Sequence, residues 1–202
     1  MIFHAYYADL PAEVVDRFVD GQELGRLVTV GGDGRPHLGL YPFVRDAGGF
    51  ELHMVREDEV AVDLRDRPAC VFEVDEPLGV IPSYWVHAEY GGSATAYHRT
   101  VIFECRGTVT DDPAAVAAQQ ARLMRRYQPE GGFRAIDPGD PLYRGALRQL
   151  VAVRLAVERV KVKFKLGQNR PPETRRKIVE FLRERGRPND VRAAAALEST
   201  LP

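Results

Sequence analysis

The chain has 202 residues, 45% hydrophobic and 28% charged, enough apolar material to bury a core of one or two small domains and too much to stay unfolded. Lys plus Arg number 28 against 29 Asp plus Glu, so a formal net charge of -1 excludes bulk electrostatic attraction to nucleic acid or an anionic membrane. No cationic start precedes a long apolar stretch, and no run approaches the length of a membrane span, which reads as a soluble protein.

In chain order, Pro11, Val14, Val15, Phe18 and Val19 set apolar residues on one side of a short helix that Pro11 can open. Residues 24–30 and 36–44 read as strands joined by Gly31-Gly32-Asp33-Gly34, a hairpin whose turn needs positive φ. After the Gly48-Gly49 turn, Phe50, Leu52 and Met54 alternate with Glu51, His53 and Val55, a strand with two chemically different faces. Residues 58–64 place Val60 and Leu64 four apart, predicting a short, weakly capped helix. Strands are expected at 69–74, 100–110 and, as one or two, 150–166, the two cysteines Cys70 and Cys105 lying inside such runs. They read as buried free thiols, with a disulfide or ligand role as the alternative; free thiols favour a reducing cytoplasm.

Asp112 followed by Pro113 predicts a capped helix through Tyr127. Residues 130–143, with Gly131-Gly132 and Pro138-Gly139, read as a loop, and the last helix begins near Glu173. The expected domain covers 1–186, and 187–202 is expected to be a tail. Turns and short helices between the strands favour an antiparallel barrel over a βαβ series, a mainly β (α+β) fold with peripheral helices. There is no Gly-rich phosphate loop, His-Glu-x-x-His motif or nucleophile elbow, and no helix pair that reads as a DNA reader. The basic run Arg175-Arg176-Lys177 reads as a solvated helix face.

The segment Val162-Lys163-Phe164-Lys165-Leu166-Gly167-Gln168-Asn169-Arg170-Pro171 resembles the C-terminal signature of the FMN-binding negative transcriptional regulator (PaiB-like) family, which usually has Ser at the place of Gly167. Leu52-His53-Met54-Val55-Arg56 resembles that family's strand bearing His and Arg, and Ile81-Pro82-Ser83-Tyr84-Trp85 resembles its Ser-Trp-Tyr region in altered order. The resemblance implies an FMN-binding split barrel related to pyridoxamine-phosphate-oxidase-like flavoproteins, and a homodimer with its cofactor near the subunit interface. Where the family commonly has Trp-Asn-Tyr, this chain has Ala96-Tyr97-His98, a departure that points to the similar heme-dependent piperazate synthases.

On that resemblance His53 is the axial ligand of heme b, with FMN as the alternative cofactor; by residue type alone it reads equally as a satisfied or surface imidazole. Arg56 is expected to pair with a propionate or phosphate. Ser83, Tyr84 and Trp85 are expected against the cofactor, although Tyr84 and Trp85 also suit plain packing. Lys163 and Lys165 share a strand face and suit an acidic ligand group or a protected sheet edge, and Gln168, Asn169 and Arg170 are expected to close over the cofactor. The implied reaction converts N5-hydroxy-L-ornithine to L-piperazate. His98 is the candidate base, Arg99 the holder of the substrate carboxylate and Tyr97 an orienting group.

Overall fold

The computed structural model describes residues 1–202. One short turn of helix, α1 (Ala5–Ala8), precedes α2 (Ala12–Asp20). Seven strands follow, interrupted by helices: β1 (Leu24–Val30), β2 (Pro36–Pro42), β3 (Val44–Asp46), β4 (Gly49–Val55), α3 (Glu59–Asp66), β5 (Ala69–Ile81), β6 (Thr95–Thr110), α4 (Pro113–Tyr127), α5 (Pro141–Leu147) and β7 (Leu150–Lys165). The chain ends with α6 (Pro172–Arg185) and α7 (Asp190–Glu198). The strands form one sheet in the order β2-β1-β5-β6-β7-β4-β3, antiparallel in β1–β2, β1–β5, β3–β4 and β4–β7.

By contacts the chain divides into two units, and β5, β6 and β7 each contribute residues to both. The first comprises Met1–Arg17, Asp75–Val101 and Lys161–Pro202; the second comprises Phe18–Val74 and Ile102–Val160.

The second unit is built around Phe43, Phe50, Phe72 and Phe103, which meet edge-to-face or tilted at ring separations of 4.6 to 5.5 Å. Burying each ring contributes roughly 1.5–3 kcal/mol, and the edge-on geometry suits the ring quadrupoles. Gly25 on β1 makes room for this: a Cβ there would lie 2.1 Å from Phe72 Cζ. The hairpin turns as its glycines predict, with Gly34 at φ 83° and register Leu24↔Pro42 through Val30↔Pro36. Cys70 and Cys105 are buried free thiols, each pushed up to about 12 by burial.

Several boundaries differ from the sequence reading. The helix expected to be weakly capped has a full cap, since the Asp58 carboxylate accepts from the Val60 amide at 2.9 Å. β5 runs on to Ile81 and β6 starts at Thr95, because Val74, Glu76, Leu78 and Tyr97 continue the buried alternation past the polar positions that obscured it. β7 is a single strand. Asp140 and Pro141 start α5 inside the expected loop boundary, by the same Asp-Pro chemistry that starts α4. Beyond Gly186 the chain is helical: α7 buries Leu197, Arg185 grips Asp190 at 2.6 and 2.8 Å, and Arg175 donates to the Thr200 carbonyl at 2.6 Å.

A buried carboxylate ties β2 to α3. Asp63 accepts from the Thr29 hydroxyl at 2.6 Å and faces His37 Nδ1 at 2.7 Å, with Glu59 3.7 Å from His37 Nε2. The Asp63 hydrogen bond raises the His37 pKa; desolvation opposes it, and the charges of Glu59, Asp63 and Asp33 add to it. The folded-state value therefore exceeds the unfolded one, near 6.5. This contribution is complete below that unfolded value and fades as pH rises through the folded one. In urea titrations the midpoint gap between the native chain and His37→Gln is expected to be widest in mild acid and to shrink toward alkaline pH.

Candidate functional site

Two cavities lie in the first unit. The first, about 360 Å³, draws its lining from the N-terminal segment, the loop before β6 and the end of β7. Lys163, Lys165 and Arg170 contribute three cations to it, together with His4, Tyr7, Ser93, Thr95, Tyr97 and Asn169, and no carboxylate lines it. Strand alternation explains the lysines: Phe164 and Leu166 are buried, which turns Lys163 and Lys165 to the opposite side. Lys163 Nζ donates to the Ile2 carbonyl at 2.7 Å, Lys165 bonds the Thr95 hydroxyl, and Tyr7 donates to Asn169 Oδ1 at 3.1 Å. Burial and the neighbouring Lys163 lower the Lys165 pKa, the signature of excess positive charge in a partly desolvated place.

Tyr97 stands over the turn that follows β7. Gly167 has φ +78°, and a Cβ built on it would come 2.3 Å from the Tyr97 hydroxyl and 3.0 Å from its Cζ. Burial pushes the Tyr97 phenol up to about 12, so it stays protonated and able to donate.

The second cavity, about 400 Å³, is lined by Tyr6, Asp9, Leu10, Pro11, Val14, Arg99, Phe164, Leu166, Gln168, Ser199 and Thr200. Arg99 donates through Nε to Glu76 at 2.6 Å and again through Nη2, and its guanidinium lies 5.9 Å from the Phe164 ring centre. Gln168 folds back on its own turn, accepting from the Leu166 amide at 2.7 Å and donating to the Phe164 carbonyl at 2.6 Å.

The structure thus gathers Tyr97, Lys163, Lys165, Asn169 and Arg170 around one cavity and Arg99 and Gln168 around the other. His98 lines neither; its Nδ1 meets the Thr100 hydroxyl at 2.9 Å, and burial with Lys163 and Lys165 lowers its pKa, which keeps the ring neutral. Ser83, Tyr84 and Trp85 form a 3-10 turn outside both linings. Trp85 packs on Phe181 of α6 at 5.4 Å and under the Arg185 guanidinium at 4.7 Å, while Tyr84 is exposed. His4, Tyr6, Tyr7 and Asp9 were not singled out in the sequence, although three ring side chains within four residues were the available signal.

His53 and Arg56 belong to the second unit. Phe50, Leu52 and Met54 are buried in the core, so Glu51 and His53 take the other face of β4, with His53 opposite Ala152 in register. That face bears α4: Arg122 holds Glu51 at 2.6 and 3.1 Å, and Val116 and Ala117 pack with Ala152. His53 Nδ1 is buried with no hydrogen-bond partner in the protein, and desolvation lowers the imidazole pKa. Arg56 bonds Asp111 and donates to the Arg148 carbonyl at 3.1 and 3.3 Å. Asp111 is also forked by Arg65, whose hydrogen bonds hold its carboxyl below the usual range.

The close approach at Gly167 makes a direct prediction. Gly167→Ala is expected to lower stability by about 2 kcal/mol, from the positive φ and the Tyr97 contact together. In a Tyr97→Phe background the cost is expected to be smaller, a coupling measurable by a double-mutant cycle of urea midpoints.

No curated protein matches the chain in a sequence comparison. Among solved structures, Rv2991 of Mycobacterium tuberculosis, described as a conserved hypothetical protein, is similar at 22% identity and TM-score 0.60, covering 85% of this chain and 94% of that one. The FAD and heme binding protein of Mycobacterium smegmatis is similar at 18% identity and TM-score 0.63, covering 78% and 72%. The flavocytochrome Anf3 of Azotobacter vinelandii is similar at 15% identity and TM-score 0.64, covering 79% and 69%. At these identities the likeness is one of fold, the split barrel with peripheral helices. The family model described as "Putative FMN-binding domain" matches residues 1–159, and the chain belongs to that family.

Proposed function

We propose that this protein is a heme-dependent enzyme that converts N5-hydroxy-L-ornithine to L-piperazate, with His53 as the axial donor to the iron of heme b. The observation that carries the reading is the state of His53: a desolvated imidazole held neutral, with a buried Nδ1 that no protein group satisfies. A neutral ring keeps a nitrogen lone pair, the first requirement of an axial ligand, and an orphaned buried polar atom calls for a function. The replacement of the family's Trp-Asn-Tyr by Ala96-Tyr97-His98, which points to the similar piperazate synthases, gives the reading its reaction.

When bound, heme supplies the iron that assists cleavage of the hydroxylamine N–O bond. The rest falls to side chains. The substrate's α-amine nitrogen must reach N5 with its lone pair free, so a neutral acceptor is needed for one proton. His98 is held neutral by burial and by the two lysines that raise the cost of a further charge. The proton passes on to the departing hydroxide, giving water, one new N–N bond and no net oxidation.

The flavin alternative has its own observation. A cavity lined by Lys163, Lys165 and Arg170 with no carboxylate suits a phosphate such as that of FMN. We further propose a homodimer formed through the outer face of β1 and β2, where Leu38 and Leu40 are 61% and 54% exposed beside Leu24 and Val30. No helix is long and apolar enough to cross a membrane, and two free thiols suit the cytoplasm, where we place the protein.

The absorption spectrum of protein expressed with ample heme tests the main reading. A heme spectrum is expected, with iron coordination lost in His53→Ala; a flavin spectrum without heme uptake rejects heme and favours FMN. Light scattering is expected to give a dimer mass that Leu38→Glu with Leu40→Glu reduces to a monomer.

A further inference from the structure

The chain carries most of its positive charge on arginine. Of its 28 lysines and arginines only Lys161, Lys163, Lys165 and Lys177 are lysines, and two of them line the first cavity. The two side chains are not interchangeable. A guanidinium keeps its proton at any ordinary pH, whereas an ammonium in a desolvated place, or beside another cation, gives its proton up and exposes a nucleophilic lone pair. Anion binding by itself is well served by a guanidinium, and Arg170 already supplies one to this cavity.

The surroundings of the two lysines separate their roles. Lys163 Nζ donates to the Ile2 carbonyl at 2.7 Å and lies 5.8 Å from the Tyr7 ring centre, two contacts that favour its charged form. Lys165 bonds the Thr95 hydroxyl, a neutral partner, while the charged side chains that share its cavity, Lys163 and Arg170, have its own sign and no carboxylate opposes them. Partial burial and Lys163 accordingly favour the free amine at Lys165. The cavity thus sets a nucleophile beside two cations, in about 360 Å³, room enough for a small phosphorylated molecule.

We propose that Lys165 is a nucleophilic amine that forms an imine with an aldehyde bearing a phosphate group, the phosphate being held by Lys163 and Arg170. The amine nitrogen bonds the carbonyl carbon, and its two protons leave with the carbonyl oxygen as water. The step is a condensation, so neither partner is oxidised or reduced. Two cations beside the amine match the two negative charges of a phosphate monoester near neutral pH. The assignment concerns the amine and rests on neither heme nor flavin, although it uses the same cations that suit an FMN phosphate.

Incubation of the purified protein with D-glyceraldehyde 3-phosphate and sodium cyanoborohydride, which reduces an imine to a stable secondary amine, tests the proposal by peptide mass spectrometry. Lys165 is expected to be modified ahead of Lys161, Lys163 and Lys177. D-Glyceraldehyde is expected to modify it about ten-fold or more slowly, and inorganic phosphate to slow the phosphorylated aldehyde. Arg170→Gln is expected to bring the rate with D-glyceraldehyde 3-phosphate down toward that with D-glyceraldehyde. Even modification of all the lysines, equal rates for the two aldehydes, or an unchanged Arg170→Gln variant overturns the proposal. Phosphate binding at a Lys165 that does not react leaves an anion site alone and overturns the nucleophile. The cofactor is read from the absorption spectrum and the amine from the peptide masses, so the failure of either reading is seen by itself.

Discussion

The alternation of β4 governs what the second unit can offer. Phe50 meets Phe43, Phe72 and Phe103, and a strand cannot bury Phe50, Leu52 and Met54 without turning Glu51 and His53 to the other face. A one-residue slip would exchange the two sets and place an imidazole and a carboxylate among phenylalanines, so the core itself holds the register. The Glu51–Arg122 pair then docks α4 over the same face, and the dryness that lowers the His53 pKa comes from the packing around it.

In the first unit charge, more than packing, shapes the candidate chemistry. Lys163 and Lys165 are brought together with Arg170 by the end of β7 and the turn after it, and the absence of a carboxylate from that lining makes it an anion environment. The neighbouring cavity has both signs because Asp9 arrives from the N-terminal segment and Arg99 from β6. The C-terminal helices take part as well: Ser199 and Thr200 line this cavity, and Arg175 fixes Thr200 by two bonds of 2.6 and 2.9 Å.

Two residues distant in sequence, Tyr97 and Gly167, meet in one contact. The Tyr97 hydroxyl occupies the space that any side chain at 167 would need. A large phenol on β6 thus requires a residue without Cβ in the left-handed turn after β7.

Local order was legible wherever one physical signal dominated. The Gly31–Gly34 turn, the Asp112-Pro113 helix start and the two-faced β4 each follow from φ preference, capping or a period of two, and all three are present. The strand residues Tyr97, His98 and Arg99 were less legible, because polar positions interrupt an alternation that only neighbouring strands complete. The sequence by itself determined the mainly β class, the hairpin and the family. Tertiary structure alone decided which basic residues share a cavity, that Trp85 packs on α6 outside both linings, that Arg56 serves an ion network with Asp111, and that Asp9 faces the same space as Arg99. The reason is that periodicity and caps report on neighbours a few residues away, whereas a cavity is made by segments whose only connection is their meeting in space.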